Sequence, residues 1–204
     1  MTTIGLTTRD VARELARRYS TMTHNELDVL ESILVPMRFQ KGDFILKEGE
    51  ICTNIYWVVK GLVRQFYIKN GKELTEYMAV ENNIFMSIES LFKEQPSHQQ
   101  IHTLEPTIVF ALPKDKLERE AVRNVNIQML YRKILEESLI ISQVHADMLR
   151  FESAQERYSK LVKRSPQLVL RAPLVYIASY LQMTPETLSR VRTSVLLGDK
   201  SDKE

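Results

Sequence analysis

The sequence is poor in cysteine, in long apolar runs and in net charge. Cys52 is the only cysteine among 204 residues, which excludes a disulfide within the chain and an iron–sulfur cluster held by the cysteines of one chain. No apolar run approaches the roughly 20 residues of a membrane span. The first ten residues, MTTIGLTTRD, lack the apolar centre of a secretory signal. We therefore expect a protein of the reducing cytoplasm with no membrane partner.

The groupings that mark an enzyme or a metal site are also missing from the sequence. We find no nucleophile–base pair, no glycine-rich phosphate loop and no cluster of ligands at metal-binding spacing. His98 and His102 are four residues apart, but at this even spacing along an extended segment they are only two side chains on one face. We predict no catalytic residues, no metal ion and no cofactor.

Positive charge is concentrated near the C-terminal end, although the net charge of the whole chain is only +2. Residues 150–197 hold eight basic and three acidic residues, whereas residues 1–149 hold 18 basic and 20 acidic ones. An excess of cations in one segment is what binding to a phosphate backbone requires. The alternative interpretation is the solvated surface of ordinary helices.

The first two-thirds of the sequence predict a β domain preceded by helices. Helical periodicity covers residues 8–19, and a second helix begins at Thr23, which can form a capping box with Glu26. From residue 37, short β-branched and aromatic runs alternate with turns, and Asn70-Gly71 is the strongest hairpin signal. This spacing predicts an all-β sandwich or roll with one short helix at 87–93. The predicted strands are 37–41, 43–47, 54–60, 62–68, 73–80, 99–104 and 107–112.

A long helix is predicted at about 125–151, with apolar residues alternating every three and four positions. Only Glu137 breaks the series. Its stripe can pack on the β domain of the same chain or form a coiled coil with a second copy, and a helix of ~40 Å has length for both. We favour a homodimer. The predicted dimer seam consists of Ile134, Ile141, Val144, Met148 and Phe151.

Residues 173–197 predict a helix-turn-helix. The first helix covers Leu174–Leu181, a three-residue turn follows at 182–184, and Thr184 and Pro185 are suited to begin the second helix. A basic helix at 153–164 and a connecting loop at 166–173 come before the motif, and a disordered polar tail is expected after Leu197. The residues left facing outward, which we predict to enter a DNA groove, are Glu186, Thr187, Ser189, Arg190 and Thr193.

Arginine in such a position can bond two acceptors on guanine, and a carboxylate can accept from cytosine. The predicted phosphate contacts are Lys160, Lys163, Arg164 and Arg171. A helical hairpin that only packs remains the alternative for the motif taken by itself.

The order of these parts resembles the Crp/Fnr superfamily of bacterial transcription regulators. The resemblance covers about residues 23–197 and rests on the order β roll, long helix and helix-turn-helix, and the ERYSKLVKRSP wording resembles the branch common in Bacteroidetes-type bacteria. It implies an α+β fold with a cyclic-nucleotide-binding-like jelly roll at 1–123, a dimerisation helix at 124–152 and a DNA-binding domain at 153–204. The motifs that carry the resemblance are KGDFILKEGE, VVKGLVRQFY and PLVYIASYLQMTPETLSRVR.

The resemblance also exposes departures from the nucleotide-binding members. Ser87 and Ile88 stand where a glycine and a glutamate are expected, and His98 stands near the place of a phosphate-binding arginine. Isoleucine cannot accept from a ribose hydroxyl, and neutral histidine is a poor phosphate ligand. We therefore predict no tight binding of cyclic AMP. The candidate effector pocket consists of Ser87, Ile88, Glu89, His98 and Gln99.

The recognition motif itself differs from the family pattern. Gln182 stands where the turn usually has glycine, so glutamine is strained if that position needs a positive φ. Pro185 replaces an expected base-contacting arginine, and we expect no β wing after the second helix.

The function expected from the sequence is that of a homodimeric, sequence-specific DNA-binding regulator. Its partners would be double-stranded DNA, a second copy, possible contacts with RNA polymerase and an unknown small-molecule effector. The alternative is a small-molecule-binding or protein-interaction module with a degenerate helix-turn-helix.

Overall fold

The computed structural model describes the backbone of residues 7–201 and the side chains of residues 7–194. Within this part, α1 and α2 precede a roll of eight strands that contains α3, and six more helices follow. The strands are β1 (Val35–Phe39), β2 (Phe44–Leu46), β3 (Asn54–Lys60), β4 (Val63–Lys69), β5 (Lys72–Ala79), β6 (Ile84–Phe85), β7 (Gln100–Thr103) and β8 (Thr107–Pro113). The helices are α1 (Thr8–Tyr19), α2 (His24–Ile33), α3 (Ile88–Lys93), α4 (Lys114–Arg123), α5 (Val125–Phe151), α6 (Ala154–Arg164), α7 (Pro166–Arg171), α8 (Leu174–Tyr180) and α9 (Pro185–Ser201).

Two antiparallel four-stranded sheets form the roll, with strand orders β1-β8-β3-β6 and β2-β7-β4-β5. The β4–β5 hairpin turns at Asn70 and Gly71, whose φ angles of 53° and 73° are both positive. Lys69 pairs with Lys72 across this two-residue turn, as an Asn-Gly hairpin requires. The predicted β roll and its main hairpin are confirmed.

The structure corrects the strand predictions at two places. β1 begins at Val35 and includes Pro36, which is tolerated because β1 lies at the edge of its sheet and a missing N–H there breaks no ladder. β6 was not predicted, since a strand of two residues has no periodicity. It pairs Ile84 and Phe85 with Trp57 and Tyr56 of β3.

The helix predictions need two further corrections. The loop predicted at 166–173 contains α7, which begins at Pro166, a position where the missing proline N–H has no helical partner to lose. The polar tail was predicted to be disordered after Leu197, but α9 continues to Ser201, and residues 202–204 lie outside the described part. The Thr23–Glu26 capping box is present as predicted.

Two apolar clusters organise the packing, and α5 reaches both of them. Ile127, Leu130 and Ile134 of α5 are buried with α1, α2 and the roll interior. Met148 of α5 is buried in the second cluster with α6–α9, and Leu62 from the roll also belongs to that cluster. Because each fully buried aliphatic side chain contributes about 1.5–3 kcal/mol, this shared packing fixes where the helix-turn-helix lies against the roll.

Candidate nucleic-acid interface and effector pocket

Helices α8 and α9 form a closely packed helix-turn-helix. Ala178 and Leu188 are both fully buried, so the small side chain of Ala178 lies within the packed part of the motif. The Thr184 hydroxyl accepts a 3.2 Å hydrogen bond from the backbone N–H of Thr187, and Thr184 therefore caps α9 as predicted. Gln182 has a φ of 49°, so the turn does place a non-glycine residue in the left-handed region.

One face of α9 is open to solvent. Glu186, Ser189, Arg190 and Thr193 are exposed on it. A shallow surface depression is lined by Ser189, Arg190, Thr193 and Ser194. Ser194 was missed in the sequence, although it lies four residues after Arg190 and therefore on the same helix face.

Hydrogen bonds define the conformation of this face. Arg190 Nη2 donates to Thr187 Oγ1 at 3.3 Å, and the Thr193 hydroxyl donates to the Ser189 carbonyl at 3.2 Å. Bonds from its own backbone N–H and then from Thr184 hold the pKa of Glu186 below its usual value, so its carboxylate stays an acceptor. Thr187 is half-buried and acts more as part of the cap than as an exposed contact.

Two of the predicted phosphate contacts remain open to solvent. Lys163 and Arg164 are exposed at the end of α6. Lys160, one turn earlier, is held 2.6 Å from Glu152. Lys163 and Arg164 are therefore the cations of α6 best placed to meet an external anion.

Arg171 occupies a different environment from the one that its predicted role requires. Its guanidinium contacts Glu81 at 2.7 and 3.0 Å and Glu105 at 3.3 and 2.5 Å. These bonds, first from Glu81 and then from Glu105, raise the pKa of Arg171. Because the guanidinium of Arg171 is paired with two carboxylates of the roll, we leave Arg171 out of the proposed DNA surface.

The first helix of the motif, α8, lies on the outside of the sheet that contains β4, β5 and β7. Arg64 of β4 is almost fully buried there, and its guanidinium carbon lies 3.8 Å from the ring centroid of Tyr176. The Ser179 hydroxyl accepts a 2.9 Å hydrogen bond from the backbone N–H of Thr75. Since β5 is an edge strand, this bond satisfies an amide that would otherwise face solvent.

The candidate effector-pocket residues separate into two groups. Ser87 is buried and donates to Gln99 Oε1 at 3.0 Å. Ile88 is 42% exposed, and the Glu89 carboxylate contacts Lys93 at 2.7 Å and His98 at 3.7 Å on the surface. The structure thus brings Ser87 and Gln99 together inside the roll and places the other three outside it.

A neutral polar network occupies the interior around Ser87. Gln65 donates to Gln99 at 2.6 Å and to the Met86 carbonyl at 3.2 Å, and Ser87 lies 2.9 Å from Ser97. Gln65 and Ser97 were missed in the sequence, where nothing distinguishes them from surface residues. The network holds no charged side chain to balance a cyclic phosphate.

The residues of the predicted dimer seam differ in their exposure to solvent. Ile134 and Met148 are buried within their own chain at 0% and 7% exposure, so they cannot form a seam with a partner. Ile141 and Val144 are half-buried, and Phe151 is 74% exposed. The exposed face of α5 instead includes Leu139 and Ile140, which are 70% and 61% exposed.

The described residues contain no group of three or more histidine, cysteine or acidic side chains that could hold a metal ion. Among the helices of residues 7–201, none has both the length and the apolarity to cross a membrane.

Part of the chain matches a family model, and a longer part is similar in sequence to a known protein. Residues 36–124 match the cyclic nucleotide-binding domain family. The anaerobic regulatory protein of Bacillus subtilis (strain 168) is 27% identical over 142 residues, which cover 68% of this chain and 59% of that protein.

Solved structures extend the likeness beyond the roll. FixK2 from Bradyrhizobium japonicum superposes with a TM-score of 0.70 at 20% identity, covering 82% of this chain and 86% of that one. A transcriptional regulator of the Crp/Fnr family from Eubacterium rectale superposes with a TM-score of 0.64 at 14% identity, covering 87% and 85%. Residues 36–124 thus match the cyclic nucleotide-binding domain family, and the chain has a fold similar to those of these solved structures, one of which is from the Crp/Fnr family.

Proposed function

We propose that the protein is a homodimeric transcription regulator of the Crp/Fnr type that reads a specific DNA sequence with α9. The observation that supports this most directly is the exposed face of α9, where Glu186, Ser189 and Arg190 are open to solvent. A helix of this kind enters the major groove with its N-terminal residues towards the base edges. The face offers a bidentate donor and an ionised acceptor, which together read G and C.

Dimerisation would occur along α5 through the side chains that the chain itself leaves uncovered. Leu139, Ile140 and Phe151 are the large exposed apolar residues in the second half of this helix, and Ile141 and Val144 are half-buried. Pairing two copies along α5 would set the two recognition helices about one DNA turn apart, ~34 Å. The division into an effector domain (1–123), a dimerisation helix (124–152) and a DNA-binding domain (153–204) is part of this proposal.

Cyclic AMP would not be its effector, because the polar side chains inside the roll, Gln65, Gln99 and Ser87, are neutral and hydrogen-bonded to one another. An unidentified effector, contacts with RNA polymerase and a cytoplasmic location complete the proposal.

The test is selection of binding sites from a pool of random duplexes, followed by fluorescence anisotropy on the selected site and on scrambled DNA. Wild-type protein should prefer a two-fold symmetric site. Arg190→Ala should lose most of that preference, by about 1–3 kcal/mol per bidentate contact, while Arg119→Ala on α4, far from α9 in the chain, should keep it. Unchanged specificity in Arg190→Ala would show that α9 does not read bases.

The alternative is a protein-contact module that no longer reads DNA. It is favoured by two exposed apolar side chains, Leu170 of α7 at 78% and Val175 of α8 at 53% exposure. Binding to random DNA with a salt dependence of no more than one or two charges would support this alternative.

A further inference from the structure

The contact between the helix-turn-helix and the roll includes a half-buried histidine, His102 of β7. The His102 ring lies 4.9 Å from the ring of Phe66, 5.8 Å from that of Phe44 and 6.1 Å from that of Tyr176. Tyr176 belongs to α8, so one wall of the histidine site is supplied by the DNA-reading motif. The buried Nε2 atom of His102 has no hydrogen-bond partner among the described residues.

The charged groups around His102 favour its neutral form. On β4, the Arg64 cation lies between the rings of Phe66 and Tyr176, 4.2 and 3.8 Å from their centroids. On β5, Glu73 is 2.5 Å from Arg64 Nη1 and is largely committed to that pair. The groups that face His102 from β2 and α8 are the uncharged rings of Phe44 and Tyr176.

In the docked arrangement, a protonated His102 would therefore gain no stabilising charge or hydrogen bond. The new cation would lie near Arg64, and its Nε2–H would be buried without an acceptor. Moving α8 away would remove Tyr176 and let water reach the ring. The docked arrangement therefore favours neutral His102, and the undocked arrangement favours the protonated ring.

We propose that docking of α8 on the roll is a proton-sensitive clasp, formed by His102, Arg64 and Tyr176, which opens when His102 is protonated. Opening would free the helix-turn-helix from the orientation that the roll imposes. The consequence for DNA reading rests on the proposed function, whereas the opening itself does not.

The direction of the pH effect follows from linkage. Burial, and then Arg64, lowers the pKa of His102 from 6.5 to about 4, and Glu73 only partly opposes this. Docking is then fully favourable above pH 6.5, where both states are unprotonated, and weakens as the pH falls from 6.5 towards 4. Between about pH 7.5 and 5.5 the docking equilibrium should fall by up to about tenfold, the limit for a histidine that regains its ordinary pKa on release.

Two other sets of titratable groups lie near this contact, the Arg171–Glu81 pair and His145, and their effects on docking can be separated from that of His102. Burial opposes ionisation of Glu81, but hydrogen bonds from Arg171 and from the Gly61 N–H more than offset it and lower its pKa. The Arg171–Glu81 pair therefore stays charged through the window. His145 is the second histidine near α8, stacked on Tyr180 at 4.4 Å, but it lies on α5 and not on the roll, so a variant of His102 separates the two.

The experiment measures the distance between the roll and α9 by pulsed electron spin resonance. Spin labels are placed at Lys69→Cys and Arg192→Cys in a Cys52→Ala background, and labelled chains are diluted into an excess of unlabelled chain to suppress distances between copies. Wild type should show one narrow distance at about pH 7.5 and a second, broader population at about pH 5.5. Circular dichroism at both pH values checks that the chain stays folded.

His102→Phe keeps an aromatic ring in the site and removes the proton, so its distance should stay narrow at both pH values. His98→Gln, at an exposed histidine four residues earlier, should respond like wild type. A wild-type distance that does not change with pH, or a His102→Phe protein that responds as wild type does, would overturn the proposal.

A second readout needs no stable variant of His102 itself. In an NMR titration of the full-length protein, the midpoint of the His102 ring should rise when Tyr176→Ala opens the site, and an unchanged midpoint would contradict the clasp. Neither measurement uses DNA, so a failure of DNA binding would leave both results interpretable.

Discussion

The phenol of Tyr19 donates a 2.6 Å hydrogen bond to the carboxylate of Glu137, 118 residues later in the chain. Arg18 also pairs with Glu137, so one carboxylate ties α1 to the middle of α5. Burial and then this bond raise the pKa of Tyr19, so the phenol remains a donor. Glu137 is the one residue that interrupts the apolar series of α5, and the structure gives the reason, since this position faces α1 of its own chain.

Removing this tie should destabilise the protein in a graded way. Tyr19→Phe loses one hydrogen bond at a cost of about 1 kcal/mol, whereas Glu137→Ala leaves the buried phenol without an acceptor and leaves Arg18 with only the Asn82 carbonyl, and should cost about 1–3 kcal/mol. Urea unfolding followed by circular dichroism measures both. Glu136→Ala, which removes a largely exposed ion pair with Arg132, should change stability by less than either. Equal effects of the Glu136 and Glu137 variants would contradict this account.

The exposed apolar face of α5 predicts which substitutions should separate the proposed dimer. Leu139→Lys and Ile140→Lys together should shift the protein to monomer, because two cations would be buried against their symmetry mates. Sedimentation velocity across a concentration series checks this. Val122→Lys, at a residue of α4 that is 88% exposed, is the control and should remain dimeric. A double variant that still sediments as a dimer would place the interface elsewhere.

The strained turn of the helix-turn-helix predicts a stabilising substitution. Gln182 has a φ of 49°, where glycine avoids the Cβ clash, so Gln182→Gly should raise the free energy of unfolding by up to about 1 kcal/mol. Gln182→Ala keeps the Cβ and should bring no such gain. Thermal unfolding of the three proteins measures the difference, and identical stabilities of the glycine and alanine variants would exclude strain at this position.

Cyclic AMP should give no binding heat at micromolar concentrations in calorimetry. The Ile88 side chain cannot accept from a ribose hydroxyl and is 42% exposed, and His98 lies on the surface beside Glu89. Inside the roll, Gln65 and Gln99 form a neutral hydrogen-bonded pair at 2.6 Å. Micromolar affinity for cyclic AMP would show that this network opens to admit a ligand.

The end of α6 offers a matched pair of lysines for testing phosphate contact. Lys163 is exposed, and Lys163→Ala should reduce the slope of log affinity against log salt by about 1 on every DNA sequence. Lys160 is already neutralised by Glu152 at 2.6 Å, so Lys160→Ala should reduce the slope by less. Anisotropy titrations between low and moderate salt supply the slopes. Equal slopes for both variants and wild type would exclude α6 from the DNA surface.

Local sequence signals predicted a large part of the fold. The Asn70-Gly71 turn and the Thr184 cap depend only on neighbouring backbone geometry, and both are present. The signals failed where the element was too short or too ambiguous, as with the two-residue β6 and with α7, whose opening Ser165-Pro166 suits a loop as well as a helix start.

The candidate site was less predictable than the fold. Exposure on α9 followed from helical spacing, since Ser189, Arg190 and Thr193 lie opposite the buried Leu188. The effector residues did not, because Ile88 and Glu89 turn out onto the surface while Gln65, far away in sequence, joins Ser87 inside. No local pattern distinguishes a glutamine that enters the roll from one that stays in water.

The sequence by itself determined the order of the β roll, the long helix and the helix-turn-helix, and the open face of the second helix of that motif. These features rest on interactions within a few residues, through periodicity, capping and turn geometry. Tertiary structure alone decided the role of Arg171, whose partners Glu81 and Glu105 lie 90 and 66 residues earlier, and the setting of His102 against Tyr176. The physical reason is that the environment of a charge or a ring is set by which distant surfaces pack together, and composition along the chain carries no direct record of that packing.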